Sequence, residues 1–185
     1  KSNYPTSADA DRWYNPAKFP AKASHTAKDC PNANELMWYC QKGDPHWDDK
    51  TLWTVWQHLY TGGMWFKKAS VIASENKKPN VAALKNASPD GKDRTTGKGV
   101  YETPPNNTNI TQYAPTNLSN YFFLPAMGYY AAGELKDFGK HGRYWASTLY
   151  YYNDKISYNL YFYAGDVVVS NTSDRNNGYR LWTSE

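Results

Sequence analysis

The chain has 185 residues, a net charge of +4 and an aromatic share of 17%. That length suits one domain whose core needs no covalent staple. The Lys and Arg residues are scattered, never more than two in a row, whereas a nucleic-acid footprint needs clustering; no stretch approaches the ~20 apolar residues of a membrane span.

Residues 1 to 29 are polar, contain proline and lack periodicity, and read as an extended N-terminal arm before a domain over 30 to 185. Asn32 or Asn34 can cap a first helix through Glu35, Leu36, Met37, Trp38, Tyr39 and Cys40, which Gly43 and Pro45 stop. Cys30 and Cys40 could close a small disulfide loop in an oxidising compartment or stand as two thiols. With His25 and His46 they match no trusted zinc spacing, so neither metal nor cofactor is expected.

Asp48 or Asp49 can cap a second helix. Its apolar positions Leu52, Val55, Trp56, Leu59 and Tyr60 follow helical spacing, His58 sits between them as a structural histidine, and Gly62-Gly63 provides the stop. Met64 to Phe66 and Val71 to Ala73 read as short strand or turn pieces. Residues 74 to 119, with Pro79, Pro89, Pro104, Pro105 and Pro115, read as a long, irregular surface insertion.

From Tyr121 the pattern is β. Strands are expected at Tyr121 to Pro125, Arg143 to Thr148, Tyr158 to Phe162 and Asp166 to Ser170, with a hairpin turn at Ala164-Gly165 and a closing segment at Gly178 to Thr183. Gly128 to Gly142 is a connector, and His141 within it borders the strands. Two helices followed by short antiparallel strands make the class α+β.

Eleven of the 17 tyrosines lie from Tyr121 onward. Alternation puts Leu160 and Phe162 on one face, with Val167 and Val169, and turns Tyr161, Tyr163, Asp166, Val168 and Ser170 to the other. Leu149, Tyr150, Tyr151 and Tyr152 follow neither period and read as an exposed aromatic cluster. Tyrosine supplies contact area at low entropic cost, while Asn, Ser and Asp supply adaptable hydrogen bonds. No nucleophile elbow, His-Glu-x-x-His, phosphate loop or dinucleotide fingerprint occurs. Asp154, Asp166 and Asp174 lack an EF-hand spacing.

The run Phe123-Leu124-Pro125-Ala126-x-Gly128 is followed by Gly139-x-x-Gly142-x-Tyr144-Trp145-Ala146-Ser147-Thr148. Then come Tyr158-x-Leu160-Tyr161-Phe162 and Arg175-x-x-Gly178-Tyr179-Arg180. This string resembles a domain of secreted and surface proteins of Bacteroides-type gut bacteria. Upstream, Cys30 to Glu35 and Gly62 to Lys68 are similar to the same group. That domain is similar to the C-type-lectin fold shared by formylglycine-generating enzymes and the variable proteins of diversity-generating retroelements.

The resemblance implies a C-type-lectin-like fold with a displayed C-terminal surface, diversified by mutagenesis at adenines. The implied ligand-binding residues are Leu149, Tyr150, Tyr151, Tyr152, Asp154, Tyr161, Tyr163, Asp166, Val168, Ser170, Thr172, Ser173 and Asp174. The implied protein is non-enzymatic and exported to the cell surface or beyond after loss of an export signal. It acts as an adhesin or receptor for a protein or glycan. The alternative is a pilus or surface-assembly subunit using the same face. The enzymatic branch depends on a C-terminal cysteine pair, and no cysteine follows Cys40. The tripeptides of calcium-dependent sugar-binding lectins are absent too.

Overall fold

Asn32 starts the first helix, α1 (Ala33–Lys42), through a reciprocal capping box. Its side chain accepts from Glu35 N (3.0 Å), and its own N–H donates to Glu35 Oε2 (2.8 Å). The computed structural model describes residues 27–96, 102–132, 134–153, 155–175 and 177–183. Nearly all of the expected N-terminal arm, His25 included, lies outside them. The helix is buried along almost its whole length, Asn34 and Glu35 included. Asn34 accepts from Ser88 Oγ and Arg94 N and donates to Lys85 O and Asp93 Oδ1. A polar side chain on a buried helix thereby satisfies the backbone of a distant segment.

The second helix expected from Asp48 does not form. In its place are β1 (His46–Asp48), β2 (Trp53–Val55) and β3 (His58–Tyr60), the last two making a hairpin. Helical spacing of apolar residues stabilises a helix only when one face is buried. Leu52, Trp56 and Leu59 are 63%, 53% and 64% exposed, and His58 is exposed beside them. Asp48 caps no helix. Its carboxylate accepts from the N–H groups of Lys50 and Thr51, from Thr51 Oγ1 and from Trp65 Nε1. That local turn competes with helix formation. Trp56 and Gln57 both have positive φ, 50° and 65°, as a two-residue type I′ turn requires.

Gly62 ends no helix either. It has φ of 90°, and a Cβ there would lie 2.3 Å from the carbonyl oxygen of Gly139. It leads into β4 (Gly63–Lys67), which confirms strand at Met64 to Phe66. Val71 to Ala73, expected as strand or turn, belongs to α2 (Ala69–Glu75). The following segment is not all surface excursion: Leu84, Ser88 and Arg94 are buried, and Arg94 pairs with Asp90 through both Nη atoms at 2.9 and 2.7 Å.

The later strands form where they are expected, and buried Leu160, Phe162, Val167 and Val169 alternate with the more open Tyr161, Tyr163, Asp166, Val168 and Ser170. These strands are β5 (Tyr121–Pro125), β8 (Gly142–Leu149), β9 (Ile156–Tyr163) and β10 (Asp166–Asp174), with a small hairpin of β6 (Tyr129–Ala131) and β7 (Glu134–Lys136) in the connector between β5 and β8. One antiparallel sheet has the order β1-β4-β5, the other β10-β9-β8. The architecture is mixed helix and antiparallel sheet, as an α+β class requires. Gly178 to Thr183 forms no full strand and is held by single bridges, Tyr130 to Gly178 and Tyr144 to Arg180.

The core lies between α1, β4, β5 and the inner face of β8–β10. Leu160, Phe162, Val167 and Val169 are completely buried there. Phe162 meets Phe66 edge-on at 5.9 Å, and Tyr39 packs against Phe66, Phe122 and Trp182. Removing each such side chain from water contributes about 1.5–3 kcal/mol. Trp182 closes the core from the C-terminal segment, donating from Nε1 to Trp145 O. Among the described residues no helix is long and apolar enough to cross a membrane.

Candidate functional site

The register of the C-terminal sheet aligns the residues that its outer face presents. Arg143 of β8 pairs with Tyr161 of β9, which pairs with Val168 of β10. The next row is Trp145, Asn159 and Ser170, and Tyr163 pairs with Asp166 beside the turn at Ala164-Gly165. Because strand side chains alternate, each of these rows lies opposite a buried one.

The row centred on Arg143 is an aromatic cage. The guanidinium carbon lies 4.0 Å from the Tyr161 ring centre, 4.7 Å from that of Tyr129 and 5.4 Å from that of Tyr179. All three distances are short enough for attraction between cation and ring. His141 flanks the cage, packing on Tyr161 at 5.4 Å and Tyr163 at 5.5 Å, with Nδ1 3.1 Å from Asp137. Burial raises the Tyr161 phenol above its ordinary pKa, and Arg143 opposes that rise. The phenol is therefore a neutral hydroxyl at physiological pH. Asp166 accepts from Asn106 Nδ2 at 2.8 Å.

Half of the outer face is covered. The segment around Tyr179 crosses it, and the Tyr179 ring stacks on Trp145 at 4.3 Å. The Tyr179 hydroxyl donates to Ser173 Oγ at 3.2 Å and receives Asn177 Nδ2 at 3.3 Å. Beneath it Asn159 is fully buried and donates to Ser173 Oγ at 2.9 Å.

Ser173 is therefore not displayed, contrary to expectation: it is buried, and Thr172 is exposed beside it. A bulge between Ser170 and Ser173 adds one residue to β10, yet buried and open residues go on alternating to Asp174, and Ser173 continues the buried series of Val167, Val169 and Asn171.

The remaining expected positions fall into two groups at opposite ends of β9. Tyr161, Tyr163, Asp166 and Val168 gather at the cage. Leu149, Tyr150, Tyr151 and Tyr152 lie where β8 leads into β9, with Asp174 exposed at the end of β10 nearby. Tyr151 and Tyr152 are 52% and 40% exposed and meet edge-on at 4.9 Å. Tyr150 leans on buried Tyr158 at 6.4 Å and is half-buried. Ser170, half-buried between the groups, lies 3.2 Å from Thr172 Oγ1. Asp154 lies outside the described residues.

Sequence reasoning missed Arg143, Tyr129 and Tyr179 as parts of the face. Tyr129 arrives from β6, outside the sheet, so no local pattern links it to Arg143. Arg143 shares its face with Tyr161, which alternation turns outward, but only the register of β8 on β9 makes that link.

Cys30 and Cys40 are free and buried rather than joined. Burial pushes the Cys40 thiol up to about 12 and raises that of Cys30, the reverse of what a nucleophilic cysteine needs. Among the described residues no three His, Cys, Asp or Glu side chains gather as a metal site.

No protein-family model, curated protein or solved structure matches the chain.

Proposed function

We propose that this protein is a non-enzymatic, exported ligand-binding protein of the adhesin or receptor kind. In this reading its fold is C-type-lectin-like, and it binds through the outer face of β8–β10 and the adjoining Tyr150–Tyr152 turn. The observation that carries the reading is the two-sided character of β9. Leu160 and Phe162 are fully buried, whereas Tyr163, one residue on, is 37% exposed and belongs to a cluster with Tyr161, His141 and Arg143. A buried inner face holds the backbone rigid, so outer residues can vary in chemistry without unfolding the scaffold. Retroelement diversification would account for the mixture of Tyr, Asp, Val, Ser and Thr on that face.

Sequencing the same locus from many isolates tests this reading. Substitutions should concentrate at the outward positions Tyr151, Tyr161, Tyr163, Val168 and Thr172 and follow adenines in a neighbouring template repeat. Substitutions spread evenly over inner and outer positions would overturn it. Concentration-dependent self-association that is lost on changing Tyr151, Tyr161 and Tyr163 to Ala would assign the face to subunit assembly instead.

A further inference from the structure

We propose that the ligand of this face is a protein bearing an exposed Asp or Glu, and that Arg143 receives the carboxylate. The inference rests on the reading of the outer face as a binding surface and names the chemistry that the surface selects.

Arg143 is the cation at the centre of three aromatic rings. Among the described residues no carboxylate pairs with it. It donates one long hydrogen bond, from Nη1 to Tyr179 Oη at 3.4 Å, and its Nε is buried without a partner. Asp137 pairs with His141, and Asp166 accepts from Asn106 through Oδ2 while its Oδ1 has no hydrogen-bond partner. A guanidinium carries five donors in a rigid fork that matches a carboxylate bidentately. Here the fork is held by the rings of Tyr129, Tyr161 and Tyr179, so little rotamer freedom remains to be lost on binding. Partial burial also strengthens a charge-assisted bond relative to water.

The dimensions favour a protein over a small anion or a single sugar. Exposed tyrosines run from Tyr163 at one end of β9 to Tyr151 and Tyr152 beyond the other. The eight residues of β9 at ~3.3 Å each span roughly 25 Å. A standard protein–protein patch of ~800 Å² is about that wide. Tyr and Arg are the residues that dominate binding energy at such interfaces, and a net charge of +4 favours encounter with an acidic partner.

Selection from a random 12-residue phage-displayed peptide library on the full chain tests the proposal, with Arg143→Met and Arg143→Lys as parallel baits. Peptides selected by the wild type should be several-fold enriched in Asp and Glu over the library, and Arg143→Met should return the enrichment to background. A selected peptide should lose about tenfold or more in affinity when its acid becomes the amide. Arg143→Lys, which keeps the charge over the rings and so preserves the fold, should cost a similar factor, with thermal melting as the check on folding. The amide change should cost nothing further in Arg143→Met.

Peptides that lose binding on Tyr163→Ala but show no acidic enrichment would overturn the carboxylate inference and leave the binding face standing. Acidic peptides indifferent to Arg143 but sensitive to Tyr163→Ala would do the same. Peptides whose binding survives change of Tyr151, Tyr161 and Tyr163 together would count against the face itself. Failure to select any acidic peptide, with trigalacturonate shifting the Arg143 Nε–H resonance instead, would replace the protein partner with an acidic saccharide.

Discussion

The Tyr179 ring stacks on the Trp145 ring at 4.3 Å, and this contact divides the outer sheet face into a sealed half and an open half. Under it lie Asn159 and Ser173; beside it the Arg143 cage stays half-open. Tyr179→Ala removes the stack and uncovers the buried amide. It should cost about 2 kcal/mol in urea denaturation, from lost ring contact and lost burial. Tyr179→Phe keeps the stack and should cost under about 1 kcal/mol. Equal losses in the two variants would mean that the hydroxyl network, not the ring, holds the segment down.

Phe162 and Tyr163 are neighbours on opposite faces of β9. Phe162→Ala leaves a cavity among Phe66, Tyr144 and Gly142 and should cost about 3–5 kcal/mol. Tyr163→Ala removes a ring that is already 37% exposed and should cost less than about 1 kcal/mol. Comparable denaturation midpoints for the two variants would show that the outer tyrosines are part of the core.

Asp48 makes stability pH-dependent in a definite direction. Burial pushes its carboxyl up, but Thr51 Oγ1, Trp65 Nε1 and the N–H groups of Lys50 and Thr51 together bring it from 3.8 down to about 2. A depressed folded-state pKa contributes stability that is fully present above the unfolded value and is lost as pH falls through the folded one. The loss should fall between about pH 4 and pH 2 and amount to roughly 2 kcal/mol. Denaturation curves across that window should show the slope in the wild type, and it should be reduced in Asp48→Asn. An unchanged slope in the variant would assign the acid transition to other carboxylates.

Gln57 occupies a left-handed backbone position, φ 65°, in the turn between β2 and β3. A non-glycine residue there costs roughly 1–2 kcal/mol, while glycine adds back up to ~1 kcal/mol through a freer unfolded chain. Gln57→Gly should therefore stabilise the protein by about 0.5 kcal/mol, visible as a small rise in Tm. A fall in Tm would show that the side chain of Gln57 contributes more than its backbone strain costs.

The buried thiols offer a readout of global opening. Cys40 donates to Val167 O at 3.3 Å, and its thiol is pushed up to about 12. Both cysteines should resist a thiol-specific reagent in the native state and react within the unfolding transition. Rapid stoichiometric labelling of the native protein at neutral pH would contradict the packing around α1.

What the sequence determined by itself was local. Asn32 and Glu35 lie three residues apart, and the capping box they form is complete within the first turn of α1. The alternation of Leu160, Tyr161, Phe162 and Tyr163 assigns a buried and an outward face to β9 because strand geometry has a period of two. Tertiary structure decided the rest. Leu52, Trp56 and Leu59 carry a helical spacing but stay more than half exposed, so the turn at Asp48 and the hairpin prevail. Ser173 has the chemistry of a displayed residue, but Asn159 and the distant Tyr179 cover it. Arg143 acquires its three rings from β6, β9 and the C-terminal segment, elements that meet only in the folded chain. Capping and alternation act over a few residues, whereas burial and charge pairing depend on which remote segments arrive at the same place.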